Sequence, residues 1–124
     1  MKLGNLIAEL KKHKPGEWLT IKGGPVPLTP GKVDSYRGYY DQLAIAVDGG
    51  GYATVGALLA ELEGAVGKTF TGYKGGEYVM TRDTKVWLAN YGESGGSRVT
   101  GVREIKSDDG ERTYGIELTW MADD

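Results

Sequence analysis

From Gly67 to Gly96 the chain reads GKTFTGYKGGEYVMTRDTKVWLANYGESGG, short runs of strand-forming residues broken every few positions by glycine or a charged turn pair. Such a stretch folds most readily as brief strands joined by tight turns, because glycine weakens a helix interior and supplies the unusual backbone angles of turns. Glycine is abundant throughout, at 21 of 124 residues and without a fibre's period, so many turns and a low helix content follow. Hydrophobic residues at 40% and charged residues at 26% are globular values, and the length suits one domain spanning residues 1–124.

Two segments carry helical periodicity. Leu3, Leu6, Ile7 and Leu10 recur on one face, with Glu9, Lys11, Lys12 and Lys14 opposite, until Pro15-Gly16 stops the run. Further on, Thr54 stands where an N-cap belongs, Val55, Leu58, Leu59, Leu62 and Val66 share a face, and Gly67 lies where a C′ glycine would end the helix. Between and after these helices, strands are expected over 17–22, 39–47, 68–73, 78–81 and 85–91, with 23–32 an extended, proline-rich loop. Residues 97–106 and 111–120 form a hairpin around Ser107-Asp108-Asp109-Gly110. The predicted class is α+β: a mostly antiparallel sheet, an N-terminal amphipathic helix and a second helix near 55–66.

The formal net charge of −2 argues against a protein that binds nucleic-acid polymers, which usually presents a basic surface, but leaves room for a small anion. The absence of cysteine excludes disulfides and thiol chemistry and favours an intracellular setting. The opening MKLGNLIAELKKHK is charged and amphipathic, unlike a signal peptide, and no apolar run approaches the roughly 20 residues of a membrane span, so no membrane association is expected.

Catalytic signatures are sparse. The one histidine, His13, sits among lysines and is expected to be solvated, which leaves triads and metal sites without an imidazole. Gly67-Lys68-Thr69 resembles the end of a phosphate-binding loop, but Leu62 occupies the required first glycine and the segment leaves a helix instead of entering one. Gly49-Gly50-Gly51 lacks the third glycine and βαβ setting of a dinucleotide site. Asp41, Glu77 and Glu93 could supply a hydrolytic carboxylate pair, or be solvated and turn residues. No enzyme, metal or cofactor is expected.

Binding features are richer. Tyr73, Tyr78, Trp87 and Tyr91 offer flat faces with polar tips, and Lys74, Arg82 and Arg98 could meet phosphates. The run Ser35-Tyr36-Arg37-Gly38-Tyr39-Tyr40 joins an arginine fork to tyrosines that could stack on a base, or pack at a core or dimer interface. Asn90 places an amide where the apolar pattern of a strand breaks, fit either for an adenine edge or for a turn before Tyr91-Gly92. Met80 could give a soft apolar contact or pack in the core.

The run SYRGYYDQLAIAV, the helix TVGALLAELEGAVGKTF and the segment TGYKGGEYVMTRDTKVWLANYGESGG, in that order, resemble the first-described type of phage Thoeris anti-defence signal sponge over about half the chain, from Asp34 to Gly96. The resemblance implies a homo-oligomer, a dimer that can group into a hexamer, acting in the cytoplasm of an infected bacterial host. It implies sequestration, without degradation, of cyclic ADP-ribose isomers made by TIR-domain enzymes, in pockets formed where subunits meet. Some members also hold cyclic di- or trinucleotides of cGAS-like systems. The ligand-binding candidates are Arg37, Tyr39, Tyr73, Lys74, Met80, Asn90 and Tyr91, with Arg98 and Arg103 for phosphate. The competing expectations are a nucleotide-processing enzyme and a structural phage interaction protein without a small ligand.

Overall fold

The apolar stripe at positions 3, 6, 7 and 10 decides the first helix, α1 (Leu3–Leu10), which buries all four side chains. The computed structural model describes residues 1–21, 29–36, 40–47, 52–71, 76–88, 96–106, 109–110 and 113–123. Lys2 occupies the N-cap of α1 without a side-chain cap. The first helical N–H groups are satisfied from another part of the chain: Leu3 N–H donates to Thr84 O at 2.7 Å and Gly4 N–H to Arg82 O at 2.8 Å.

The second helix, α2 (Val55–Ala65), starts as its sequence predicts, with Thr54 Oγ1 accepting from Ala57 N–H at 3.2 Å. Val55, Leu58, Leu62 and Ala65 are buried. Gly67 ends the segment in the left-handed region at φ 83°, but its N–H reaches Met80 O at 2.7 Å instead of a helix carbonyl. The glycine therefore both stops α2 and ties it to the next hairpin.

Eight strands complete the described residues: β1 (Leu19–Ile21), β2 (Val33–Tyr36), β3 (Tyr40–Ile45), β4 (Thr69–Thr71), β5 (Glu77–Val79), β6 (Val86–Leu88), β7 (Gly96–Lys106) and β8 (Thr113–Asp123). Six form one sheet in the order β1-β8-β7-β6-β3-β2, while β4 and β5 form a separate antiparallel pair. In the main sheet β1–β8 and β3–β6 are parallel and β8–β7, β7–β6 and β3–β2 antiparallel. The predicted α+β class, with its two helices, holds. The mixture of strand directions and the edge strand β2 went unpredicted; β2 is four residues long and falls just after the proline-rich segment read as a loop.

Alternation along the strands gives the sheet one buried face. Leu19, Ile21, Leu43, Ile45, Val86, Leu88, Val99, Ile116 and Leu118 meet the apolar stripes of both helices in a single core. Full burial of such side chains contributes about 1.5–3 kcal/mol each relative to exposure. One irregularity sets the opposite face. A register shift between Val99 and Gly101 adds a residue to β7, so Val99 and Val102 lie opposite Trp120 and Leu118, while Arg98 and Arg103 lie opposite Met121 and Glu117. Arg98 and Arg103 are both exposed.

His13 departs from expectation. It follows the end of α1, and its side chain is only 14% exposed, with Nδ1 3.9 Å from Glu104 Oε1. The helix stops at Leu10, three residues before the histidine, so His13 does not share the solvated face of α1 with the neighbouring lysines and turns toward Glu104 instead. Among the described residues, no helix is long and apolar enough to cross a membrane.

Candidate functional site

On the sheet face away from the helices, strand register sets Ala44 beside Trp87, Trp87 beside Arg98, and Arg98 beside Met121. Lys85 and Trp87 flank the buried Val86 in sequence, so alternation directs both away from the core. Residues 1 and 2 close this end of the sheet. Val86 N–H donates to Met1 O at 3.0 Å, the Met1 amine donates to Val99 O at 3.1 Å, and Lys2 forms an antiparallel bridge with Lys85.

The turn over 81–84 forms the remaining wall. Thr84 Oγ1 accepts from Thr81 N–H at 2.9 Å, and Thr81 Oγ1 accepts from Asp83 N–H at 3.2 Å. The same turn supplies the carbonyls that receive the first N–H groups of α1, so helix and turn are held together. Their approach needs a glycine: a Cβ on Gly4 would lie 2.8 Å from Arg82 Cβ.

These pieces enclose a cleft of about 790 Å³. Its size lies within the range of small-molecule sites, about 300–1,000 Å³. Among the described residues, Lys2, Arg82, Lys85 and Arg98 line it with four cationic side chains against one carboxylate, Asp83, and Asn5 and Trp87 add an amide and an indole. Asp83 Oδ1 lies 3.5 Å from Lys2 Nζ, with both side chains more than half exposed, so their attraction is weak. The Met1 amine is held below its ordinary pKa of 8.0, first by burial and then by the charges of Arg98 and Lys85, which marks a positive field at the cleft. The α1 amides are already bonded, so attraction for an anion comes from side chains.

This lining is suited to holding phosphate groups beside an aromatic ring. A second, small cavity of about 100 Å³, bordered by Val33, Glu61, Lys68 and Phe70, lies below the usual range for such ligands. Among the described residues, no group of three or more His, Asp or Glu is placed to hold a metal ion.

Of the sequence candidates, Arg98 lines the cleft, as do Arg82 and Trp87, read as a phosphate contact and a stacking face. Arg103 lies farther along β7, with Nε against Glu117 Oε1, and does not line it. Met80 is fully buried in the core, the packing alternative of its sequence reading. Arg37, Tyr39, Tyr73, Lys74, Asn90 and Tyr91 lie outside the described residues. Tyr78, read as a possible stacking face, packs beside Phe70 with ring centroids 6.4 Å apart and donates its hydroxyl to Gln42 O at 2.8 Å. Lys2, Asn5 and Lys85 were missed because no spacing within the sequence links them to Arg98.

No protein-family model, curated protein or solved structure matches the chain.

Proposed function

We propose that the protein is a binding protein that sequesters a cyclic ADP-ribose isomer without degrading it, as the resemblance to Thoeris signal sponges implies. In this reading it is a phage anti-defence protein, acts as a homo-oligomer in the cytoplasm of an infected bacterium, and withholds the signal from its effector. The observation that carries the reading is the cleft, where, among the described residues, four cationic side chains face one carboxylate beside Trp87. A cyclic ADP-ribose presents a pyrophosphate, two riboses and an adenine, which suit cations, an amide and an aromatic face respectively. The long runs between Asp34 and Gly96, which include residues 82, 83 and 85–87 of the cleft, support the family reading.

The test is uptake and release. Purified protein is incubated with a cyclic ADP-ribose isomer, free ligand is removed by filtration, and the protein is heated and the released material chromatographed. Depletion followed by recovery of intact ligand is expected. Recovery of an altered product would instead support a nucleotide-processing enzyme. If cyclic ADP-ribose isomers and cyclic di- and trinucleotides all stay in the filtrate, the sponge reading is refuted and an interaction protein is left.

A further inference from the structure

We infer that the cleft recognises its ligand through a diphosphate group, and that Asp83 limits its affinity by competing with that group for Lys2. This rests on the reading of the cleft as the ligand site, and it specifies which part of the ligand is recognised and what opposes binding.

The argument begins with the lining. Lys85 and Trp87 point away from the core on either side of Val86, and Arg98 is the register neighbour of Trp87 on the adjacent strand. Two cations therefore border one indole on the same face of the sheet. Lys2 joins them through its bridge with Lys85. A diphosphate carries several negative oxygens on two linked centres and can engage more than one of these cations together, whereas a monoanion of one centre cannot span them as well.

Asp83 opposes this arrangement. Among the described residues it is the one carboxylate in the lining, and its 3.5 Å contact with Lys2 is made by side chains that are 86% and 57% exposed. Water screens such a pair, so an arriving phosphate can take over Lys2 at a small cost, on the order of a few-fold in affinity. The carboxylate then remains beside the bound anion and repels it. The turn carrying Asp83 is held by backbone and threonine hydrogen bonds, namely Thr81 N–H to Thr84 Oγ1 and Asp83 N–H to Thr81 Oγ1, neither of which uses the Asp83 carboxylate. Its charge can therefore be removed with the turn left in place.

The probe is inorganic pyrophosphate, titrated calorimetrically into the full chain, with inorganic phosphate for comparison. Wild-type protein is expected to bind pyrophosphate more tightly than phosphate, and Arg98→Gln or Lys85→Gln to weaken pyrophosphate about tenfold or more. Asp83→Asn is expected to tighten pyrophosphate about two- to fivefold at low ionic strength, a gain that shrinks as salt is raised. Urea midpoints of all variants establish that they fold as the wild type does.

Unchanged binding by Asp83→Asn overturns the competitor role, and weaker binding overturns it in favour of a carboxylate that orients Lys2. Equal affinity for phosphate and pyrophosphate, or no binding of either, overturns diphosphate recognition. Failure of the sponge reading is distinguishable: pyrophosphate would bind and respond to Asp83→Asn while every cyclic ADP-ribose isomer stayed free.

Discussion

Gly4→Ala tests the joint between α1 and the turn that walls the cleft. An added Cβ would lie 2.8 Å from Arg82 Cβ, 3.2 Å from Arg82 O and 3.4 Å from Arg82 Cγ. Arg82 O cannot simply swing away, since it accepts the Gly4 N–H at 2.8 Å beside the 2.7 Å bond from Leu3 N–H to Thr84 O. The turn must retreat and stretch both bonds. Overpacking of this kind costs about 1–3 kcal/mol. Alanine's helix preference over glycine returns at most about 1 kcal/mol, and less in a first turn. A net loss of about 1–2 kcal/mol is expected. Gly64→Ala is the control, because Gly64 also lies in a helix but a Cβ there meets nothing within 4 Å. That change should stabilise by about 0.5–1 kcal/mol. Urea denaturation with equal m-values reads both differences directly. Should Gly4→Ala match or exceed wild-type stability while Gly64→Ala behaves as expected, the close packing of α1 on Arg82 would be refuted.

Other perturbations probe separate links. Thr54→Ala removes the acceptor of the Ala57 N–H and should cost about 1 kcal/mol in the same denaturation assay. Met80→Ala should cost about 2–5 kcal/mol, whereas Met80→Leu should cost less than about 1.5 kcal/mol and leave ligand uptake unchanged, because the side chain is fully buried. The lowered pKa of the Met1 amine means that the unfolded chain binds more protons in the window just below pH 8.0. This group's contribution to stability should therefore rise with pH through that window, with a slope that N-terminal acetylation abolishes in denaturation measurements.

The two helices were legible because each is decided locally. Four apolar side chains at helical spacing define α1, and Thr54 and Gly67 bracket α2 with a cap and a left-handed stop. The last hairpin was legible for the same reason, with Gly110 at φ 74° in the connection between β7 and β8. Strand direction was not. The parallel pairing of β1 with β8 joins residues 19–21 to residues 116–118, and a three-residue strand carries too little pattern to announce so distant a partner. The paired arginines of β7 illustrate the limit more sharply. Positions 98 and 103 are an odd number of residues apart, so strict alternation would send them to opposite faces, and only the register shift between Val99 and Gly101 returns both to one face.

The cleft was hidden by the same kind of distance. Among the described residues its lining comes from Met1, Lys2, Gly4 and Asn5, from residues 82, 83 and 85–87, and from Arg98; the sequence pointed to Arg82, Trp87 and Arg98 as binding residues, but nothing in it brought the N-terminal residues to them. They meet because β6 is too short to pair along the full length of β7: register pairs join Trp87 and Leu88 to Arg98 and Ser97, and beyond them Met1 bonds to both Val86 and Val99. Residue 1 thus extends the ladder where β6 leaves off, carrying Lys2 to Lys85 and α1 to the 81–84 turn. Net charge left room for a small anion without placing it, since a net −2 conceals four cations gathered, among the described residues, against one carboxylate. The physical signal for an anion site was therefore local field, and that field is completed when the N-terminal residues carry Lys2 against β6 and β7.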